Sequence, residues 1–183
     1  MAANLAATRS ELDDPAAAKR LFRRVMGRFA TGVTVVTTSL AGEVYGMTAN
    51  AFMAGSLDPL LCVVSISRTA QMHERLIASG HYGVSFLNQD QRHLSAHFAG
   101  QRLAHIGPQF GFRGRTPVLE RAVGSVTAEV VDTAACGDHT LFIGRITSME
   151  EAPGGRPLLF CAGRYARVDL LNPIEEVDPP GFW

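Results

Sequence analysis

Short runs of β-branched and apolar residues, separated by turns that contain Gly or Pro, dominate this 183-residue sequence. The first run, GVTVVTT from Gly32, is followed by the turn segment LAGE and by a second extended stretch over 44–53. This pattern predicts a β-hairpin. The next run, LLCVVSI, predicts a short and fully buried strand.

Further strands are predicted at HYGVSFL and over 125–131, 140–149 and 158–168. Strict alternation of strands and helices is absent, so a doubly wound nucleotide-binding fold is the weaker alternative. The 18 Gly and 9 Pro residues favour many turns. The expected fold class is therefore mainly β with inserted helices, arranged as a closed or split β-barrel with helical caps.

The first predicted helix begins at Asp14 and Pro15, a favourable pair for a helix start. Its apolar residues recur every three or four positions and include Phe22, Val25 and Met26. This spacing predicts one apolar face. We therefore expect the helix to cover one side of a core.

Two further helices are predicted. The second spans 69–79 and is closed by Gly80. The third begins at a capping box formed by Asn88 and Gln91. It ends before the Gly-, Pro- and Arg-rich segment 100–120, which predicts an ordered surface loop whose length suggests a functional role.

The whole chain, 1–183, is expected to form a single domain, because its length suffices for one substantial core and is short for two. Its core is expected at about 15–170, with terminal extensions at 1–14 and 171–183. The second extension contains NPIEEVDPPGFW and ends in the only tryptophan, Trp183. This end is expected to fray unless its aromatic residues dock.

Charge and cysteine content exclude several classes of function. Lys plus Arg and Asp plus Glu are 17 each, so the sequence carries no electrostatic signature of binding to nucleic acid or an anionic membrane. Cys62, Cys136 and Cys161 form no C-x-x-C pair, which indicates reduced thiols in a cytoplasmic protein. No apolar run approaches the roughly 20 residues of a membrane helix, so a soluble protein is expected.

The familiar catalytic motifs are missing. The sequence contains no P-loop, no G-x-G-x-x-G that opens a helix, no G-x-S-x-G and no H-E-x-x-H. Cys136 and His139 are three positions apart, but no neighbours complete a four-ligand set, so no metal site is expected.

A run of small residues, Gly46 to Ala51, is unusual for a predicted strand. Such residues would let a flat ring lie close to the backbone, and Thr48 and Asn50 could offer hydrogen bonds to its nitrogens and carbonyls. The alternative is an edge strand with a bulge at Gly46. From these residues alone, the edge strand is the better supported interpretation.

The segment Ser67-Arg68-Thr69 follows a predicted strand and precedes a predicted helix. Two hydroxyls, a guanidinium and the amides of a helix N-terminus would together form an anion site. An ordinary cap, in which Thr69 satisfies the first turn and Arg68 is solvated, explains the segment equally well.

Two residues near predicted strands are candidates for ligand contact. His139 stands beside Asp138 at a strand start, where it could reach a ligand at a barrel mouth, although a lone turn histidine is more often only exposed. Tyr165 follows Arg164 on a late strand and could stack on a ring or fill core.

Taken together, several segments in this order resemble the flavin reductase-like family, the short-chain NAD(P)H:flavin oxidoreductases that serve two-component monooxygenases. The resemblance covers about 22–168. The segments that carry it are FATGVTVVTT, GMTANAFMAGSLDPLL, SISRTAQMHERL, FLNQDQRHLSAHFAG and GDHTLFIGRI. One departure is Leu60 after Pro59, where the family often has a second proline.

This resemblance implies an FMN-binding split β-barrel, a homodimer with flavin near the subunit interface, and hydride transfer from NADH or NADPH to FAD or FMN. Reduced flavin would pass to a separate monooxygenase. The residues implied for the site are Met47, Thr48, Ala49, Asn50 and Ala51 at the isoalloxazine, Ser65, Ser67, Arg68 and Thr69 at the ribityl and phosphate, Phe98 and Ala99 beside the flavin, and His139 and Tyr165 at the nicotinamide.

The resemblance also accounts for the missing catalytic motifs. Hydride transfer between two stacked rings needs orientation more than acid–base help, so His139 is expected to act in catalysis by positioning the nicotinamide ring. A non-catalytic flavin-binding electron carrier on the same barrel is the alternative function. An oxidase of the pyridoxamine-phosphate type is a more distant one. The resemblance favours FAD and NADH, whereas the residues themselves decide neither FAD against FMN nor NADH against NADPH.

Overall fold

The computed structural model describes residues 12–101 and 107–169, and most of these residues lie in β-strands. The helices are α1 (Pro15–Met26), α2 (Gln71–Ser79), a short 3₁₀ helix (Gln89–Gln91) and α3 (Arg92–Phe98). The strands are β1 (Thr31–Gly32), β2 (Thr34–Leu40), β3 (Glu43–Ala49), β4 (Phe52–Leu57), β5 (Leu60–Ser67), β6 (His81–Phe86), β7 (Phe110–Arg113), β8 (Thr116–Leu119), β9 (Gly124–Cys136), β10 (His139–Glu151), β11 (Leu158–Cys161) and β12 (Arg164–Arg167).

Seven strands form one antiparallel sheet in the order β3-β2-β6-β9-β10-β5-β4. Smaller sheets are formed by β1-β11-β12 and by β7-β8. The mainly β class with inserted helices is confirmed. Within the described residues the seven-stranded ladder does not close, so the barrel stays a prediction.

The large sheet is strongly curved. Strands β3 and β4 are its two edges, yet only Asn50 and Ala51 separate Ala49 from Phe52. Three Cα steps span at most about 11 Å, whereas a flat sheet of seven strands would hold its edges about 29 Å apart. The sheet must therefore bend until its edges approach each other at Asn50 and Ala51.

The larger of two apolar clusters fills the inside of this bend. It contains buried side chains from β2, β5, β6, β9 and β10 together with Met72 and Leu76 of α2. The Tyr82 hydroxyl on β6 donates to the carbonyl oxygen of Cys62 on β5, 3.1 Å away, although β9 and β10 lie between these strands in the sheet. Burial raises the pKa of Tyr82 and of the Cys62 thiol, so both groups stay neutral in the core.

The predicted hairpin is present, but its second strand is shorter than expected. Strands β2 and β3 pair through the turn at Ala41 and Gly42, which both have positive φ. The expected extended stretch over 44–53 is wrong as one strand, because the chain leaves β2 after Ala49 and continues as β4 beside β5. The change of partner occurs where the sheet edges meet.

Three other expectations for strands and loops are wrong in detail. Strand β5 is not fully buried, because burial alternates along it with Cys62, Val64 and Ile66 facing the core. The segment expected as a loop over 100–120 contains the β7–β8 hairpin, and its residues 102–106 lie outside the described residues. The strand expected over 158–168 is the hairpin β11–β12.

Helix α1 forms where the sequence predicts it, with the Asp14 carboxylate accepting from the amide of Ala16 at 2.9 Å. It does not cover the core, however. None of its residues is buried against the described chain, and Phe22 and Val25 are 66% and 59% exposed. The predicted apolar face is present on α1, but the prediction that this face covers the core is wrong.

The other two helices follow their sequence signals. Gly80 ends α2 in the left-handed region, with φ of 69°. The capping box of Asn88 and Gln91 opens a 3₁₀ turn that continues into α3. In the described ranges, no helix is long and apolar enough to cross a membrane. The terminal segments 1–11 and 170–183, which hold most of both predicted extensions and Trp183, lie outside those ranges.

Candidate functional site

A cavity of about 230 Å³ lies at the seam where the sheet edge, α3 and the small β1-β11-β12 sheet meet. Its walls are largely apolar, and it contains five of the residues predicted for the site. These lining residues are Val33, Thr48, Ala49, Asn50, Ser95, Ala99, Phe160 and Tyr165. We call it the seam cavity.

Hydroxyl groups hold the walls of the seam cavity together. The Thr48 hydroxyl donates to the carbonyl oxygen of Ser95 at 2.7 Å, and the Ser95 hydroxyl lies 3.0 Å from that of Tyr165. Thr34 donates to the carbonyl oxygen of Ala49 at 2.6 Å. The side chain of Thr48 is therefore engaged with α3, whereas the exposed Asn50 amide makes no hydrogen bond to the described residues and stays available to a ligand.

Tyr165 forms one side of the seam cavity. Its ring lies edge-on to Phe160 with centroids 5.7 Å apart, and the guanidinium carbon of Arg92 lies 5.0 Å from its centroid. The sequence analysis missed Arg92 and Ser95. Their spacing from Ala99, seven and four residues on one helix, is a periodic signal that could have identified them.

The small size of Gly46 has a structural cause. A Cβ built on Gly46 would lie 2.5 Å from Cε1 of Phe98, so the glycine makes room for this ring. Strand β3 is an edge strand with continuous register, so the bulge expected in the alternative interpretation is absent there. Phe98 packs against Gly46 and Met47 packs against the core, so neither lines the seam cavity.

A second group of predicted residues meets at the turn between β9 and β10. The Arg68 guanidinium donates to the carbonyl oxygen of Gly137 at 2.7 Å, and the Arg68 amide donates to that of Asp138 at 3.0 Å. Ser67 pairs with His139 across β5 and β10. Arg68 is thus exposed, as the alternative interpretation expects, and is also tied to the β9–β10 turn, which that interpretation does not include.

Thr69 does not cap α2. The N-cap residue is Ala70, and no side chain caps the helix. The Thr69 hydroxyl instead lies 3.0 Å from that of Ser67, and its amide donates to the Ser67 hydroxyl at 3.4 Å. Arg68 uses one of its five N–H donors on Gly137. The remaining Arg68 donors, and the one hydroxyl hydrogen that the bond between Ser67 and Thr69 does not use, can meet an anion.

His139 is partly exposed and is hydrogen-bonded to the adjacent Asp138. Its Nδ1 lies 2.7 Å from the carboxylate, and this hydrogen bond lowers the pKa of Asp138. An ionised carboxylate only accepts, so Nδ1 carries the proton. Nε2 makes no hydrogen bond to the described residues, which leaves it available to a bound molecule.

The two groups of residues are connected through the sheet. The Ser65 amide donates to the carbonyl oxygen of Ala51 at 3.0 Å. Ser65 and Ser67 share one face of β5, about 7 Å apart at the rise of a strand. Backbone contacts thus connect the seam cavity through Ala51 and Ser65 to Ser67 and its cross-strand partner His139.

The described part of the site contains no cluster of metal ligands. Among residues 12–101 and 107–169, no three His, Cys, Asp or Glu side chains could hold a metal ion together. The three cysteines are free thiols. The arrangement offers an apolar cleft, one free amide, a segment with a guanidinium and hydroxyls, and a hydrogen-bonded imidazole, which together suit the binding and orientation of a nucleotide.

Residues 26–169 match the family described as Flavin reductase like domain. An NADH-dependent flavin reductase from Rhodococcus is 41% identical over 178 residues, which cover 96% of this chain and 98% of that protein. The solved styrene monooxygenase flavin reductase from Pseudomonas putida is 38% identical with a TM-score of 0.76, over 81% and 97% of the two chains. A Streptomyces globisporus NADH:FAD oxidoreductase, solved with NAD and FAD fragments, is 32% identical with a TM-score of 0.78, over 92% and 98%.

The contact between Gly46 and Phe98 predicts the effect of Gly46→Ala. The added methyl group must displace the Phe98 ring, and overpacking of this kind costs roughly 1–3 kcal/mol of unfolding free energy. Urea unfolding of Gly46→Ala, Phe98→Leu and the double variant measures this. The double variant should lose less than the sum of the single losses, because leucine leaves room for the methyl group. Additive losses would contradict the contact.

Proposed function

The chain belongs to the flavin reductase-like family, which matches residues 26–169, and on this premise we propose that it transfers hydride from NADH to FAD or FMN. Reduced flavin then leaves for a separate monooxygenase component. The observation that carries the proposal is the seam cavity, together with the backbone contacts that connect it to the Ser67–Thr69 segment. The NADH-dependent relatives favour NADH over NADPH.

The residues present fit a flavin. Ala49 and Ala51 leave the backbone near the seam cavity uncrowded, Tyr165 supplies an aromatic wall, and Asn50 offers an unengaged amide. The site proposed for flavin and nicotinamide consists of Met47, Thr48, Ala49, Asn50, Ala51, Ser65, Ser67, Arg68, Thr69, Phe98, Ala99, His139 and Tyr165. In this proposal Met47 and Phe98 act from behind the cavity wall, since neither lines it.

The two nucleotides supply the hydride chemistry, and the protein orients them. Arg68 and the hydroxyls of Ser67 and Thr69 would bind the flavin phosphate. His139, fixed by Asp138, would hold the nicotinamide end through Nε2. A pure electron carrier has no use for such a second binding position, which favours the reductase over the carrier.

We propose a split barrel within a single domain as the architecture. The short link from Ala49 to Phe52, which brings the edges of the large sheet together, supports it. The common core inside the bend supports one domain, with the terminal extensions outside it. Three free thiols support a reducing, cytoplasmic location.

A homodimer is also proposed, with flavin near its interface. Strand β4 is an open edge close to the seam cavity, and its Met53 and Leu57 are 59% and 60% exposed. Helix α1 presents Phe22 and Val25 without a partner in the described chain. A second copy would cover these surfaces, and a formal net charge of zero causes no long-range repulsion between copies.

Flavin as a substrate predicts that NADH oxidation depends on added flavin. The protein stripped of flavin should oxidise NADH only when FAD or FMN is added, with a rate that saturates in flavin, because the site contains no covalent anchor. Absorbance of NADH during steady-state turnover measures this. Oxidation at the full rate without added flavin would exclude a diffusible substrate, and no oxidation with either flavin would favour the carrier.

Sedimentation equilibrium tests the proposed homodimer. The mass in solution should be twice the 19.7 kDa of one chain. Because the exposed apolar side chains of β4 are expected in the interface, Met53→Glu should shift the population toward single chains. A wild-type protein that sediments as a single chain at micromolar concentration would contradict the dimer.

The fixed position of His139 predicts the effect of His139→Ala. Loss of positioning should lower kcat/KM for NADH on the order of 100-fold while the flavin Kd stays near its wild-type value. Anaerobic stopped-flow reduction of flavin isolates this step from flavin release. His93→Ala, at an exposed histidine of α3, is the matched control. An unchanged reduction rate at subsaturating NADH would remove His139 from the site.

A further inference from the structure

A second cavity, of about 520 Å³, lies on the other side of the C-terminal end of α3. Its volume is within the roughly 300–1,000 Å³ typical of ligand pockets. It is called the Arg75 groove here, and the residues that matter in it are Tyr45, Gly46, Gln71, Arg75, His97 and Phe98.

Arg75 lies over the Tyr45 ring and makes no hydrogen bond to the described residues. Its guanidinium carbon lies 3.9 Å from the centroid of the Tyr45 ring, and the Tyr45 hydroxyl donates to Glu43 at 2.6 Å, which fixes the ring. Gln71 stands one turn earlier on the same face of α2. A planar cation with free N–H donors suits stacking on a flat ring and pairing with phosphate.

His97 is a second unsatisfied group in the Arg75 groove. Its Nδ1 is buried without a hydrogen-bond partner among the described residues. The ring lies edge-on to Phe98, with centroids 5.0 Å apart. Buried polar atoms are normally paired, so the groove holds polar groups that the fold itself does not use.

The Arg75 groove adjoins both parts of the proposed flavin site. Gln71 follows Thr69 by two residues, so the groove begins where the flavin phosphate is proposed to bind. Strand β3 contributes Tyr45 to the groove and Thr48 to the seam cavity. The end of α3 likewise contributes Phe98 to one and Ala99 to the other.

We propose that the Arg75 groove binds the adenylate half of FAD. This inference rests on the proposed function and adds a preference for FAD over FMN. The adenine would stack on the guanidinium plane that Tyr45 supports, and Arg75 and Gln71 would donate to the second phosphate and the ribose. FMN has no adenylate, so FAD is the preferred flavin substrate.

Arg75→Ala tests the proposal through equilibrium binding, measured by flavin fluorescence. The variant should bind FAD about 10-fold more weakly, the loss expected for one charged contact, and should bind FMN as the wild type does. Arg68→Ala should weaken FAD and FMN alike. Arg115→Ala is the matched control, because Arg115 is exposed and lines a different cavity, and it should change neither Kd.

Several outcomes would overturn the proposal. These are wild-type binding of FMN as tight as that of FAD, equal losses for both flavins in Arg75→Ala, and a raised KM for NADH with an unchanged FAD Kd. The last outcome would assign the groove to the adenylate half of the nicotinamide nucleotide. Failure of the proposed function is distinguishable, because it appears as absent NADH oxidation with both FAD and FMN in the wild type, whereas this proposal is decided by the ratio of the FAD and FMN Kd values.

Discussion

The two-residue link between β3 and β4 is the constraint on which the rest of the structure depends. Asn50 and Ala51 connect opposite edges of a seven-stranded sheet, and they can do so only if the sheet bends. Inside the bend, the Tyr82 hydroxyl reaches the Cys62 carbonyl oxygen. Gly144 permits this, because a Cβ there would overlap the Tyr82 hydroxyl. The candidate site lies at the seam that this bend creates.

The small residues along β3 serve two different purposes. Gly46 is small because the Phe98 ring packs against it, so its role belongs to the attachment of α3. Ala49 and Asn50 line the seam cavity, where a larger side chain would fill the cleft. Thr48 lies between these positions and donates to α3. The run of small residues therefore reflects both the packing of Phe98 and the opening of the seam cavity.

The polar groups of the site divide in the same way. Some maintain the geometry, as the guanidinium of Arg68 does when it joins the segment after β5 to the β9–β10 turn. Others have no partner in the described chain, among them the Asn50 amide and Nε2 of His139. Rings that carry out hydride transfer themselves need positioning more than acid or base catalysis. A site with few hydrogen-bonding groups and a rigid frame is consistent with that need.

The sequence by itself determined local structure and the positions where helices begin and end. Alternation and β-branched residues predicted the strands, and Asp14, Asn88 and Gly80 marked helix ends, because these signals act between residues close in the chain. The order of motifs also indicated the family and most of the cavity residues. Arg92 and Ser95 were missed although their helical spacing from Ala99 could have identified them, and Phe160 was missed because no local rule states which hairpin will meet β3.

Only the tertiary structure decided which surfaces meet. It placed β3 and β4 at opposite edges of one sheet, left the apolar face of α1 uncovered, and joined Arg68 to the turn beside His139. It also separated Phe98 from the seam cavity and paired Arg75 with Tyr45. These relations depend on contacts between residues far apart in the chain, and the bend of the sheet creates them. A periodic pattern identifies which face of an element is apolar, but the partner of that face is set by the packing of the whole fold.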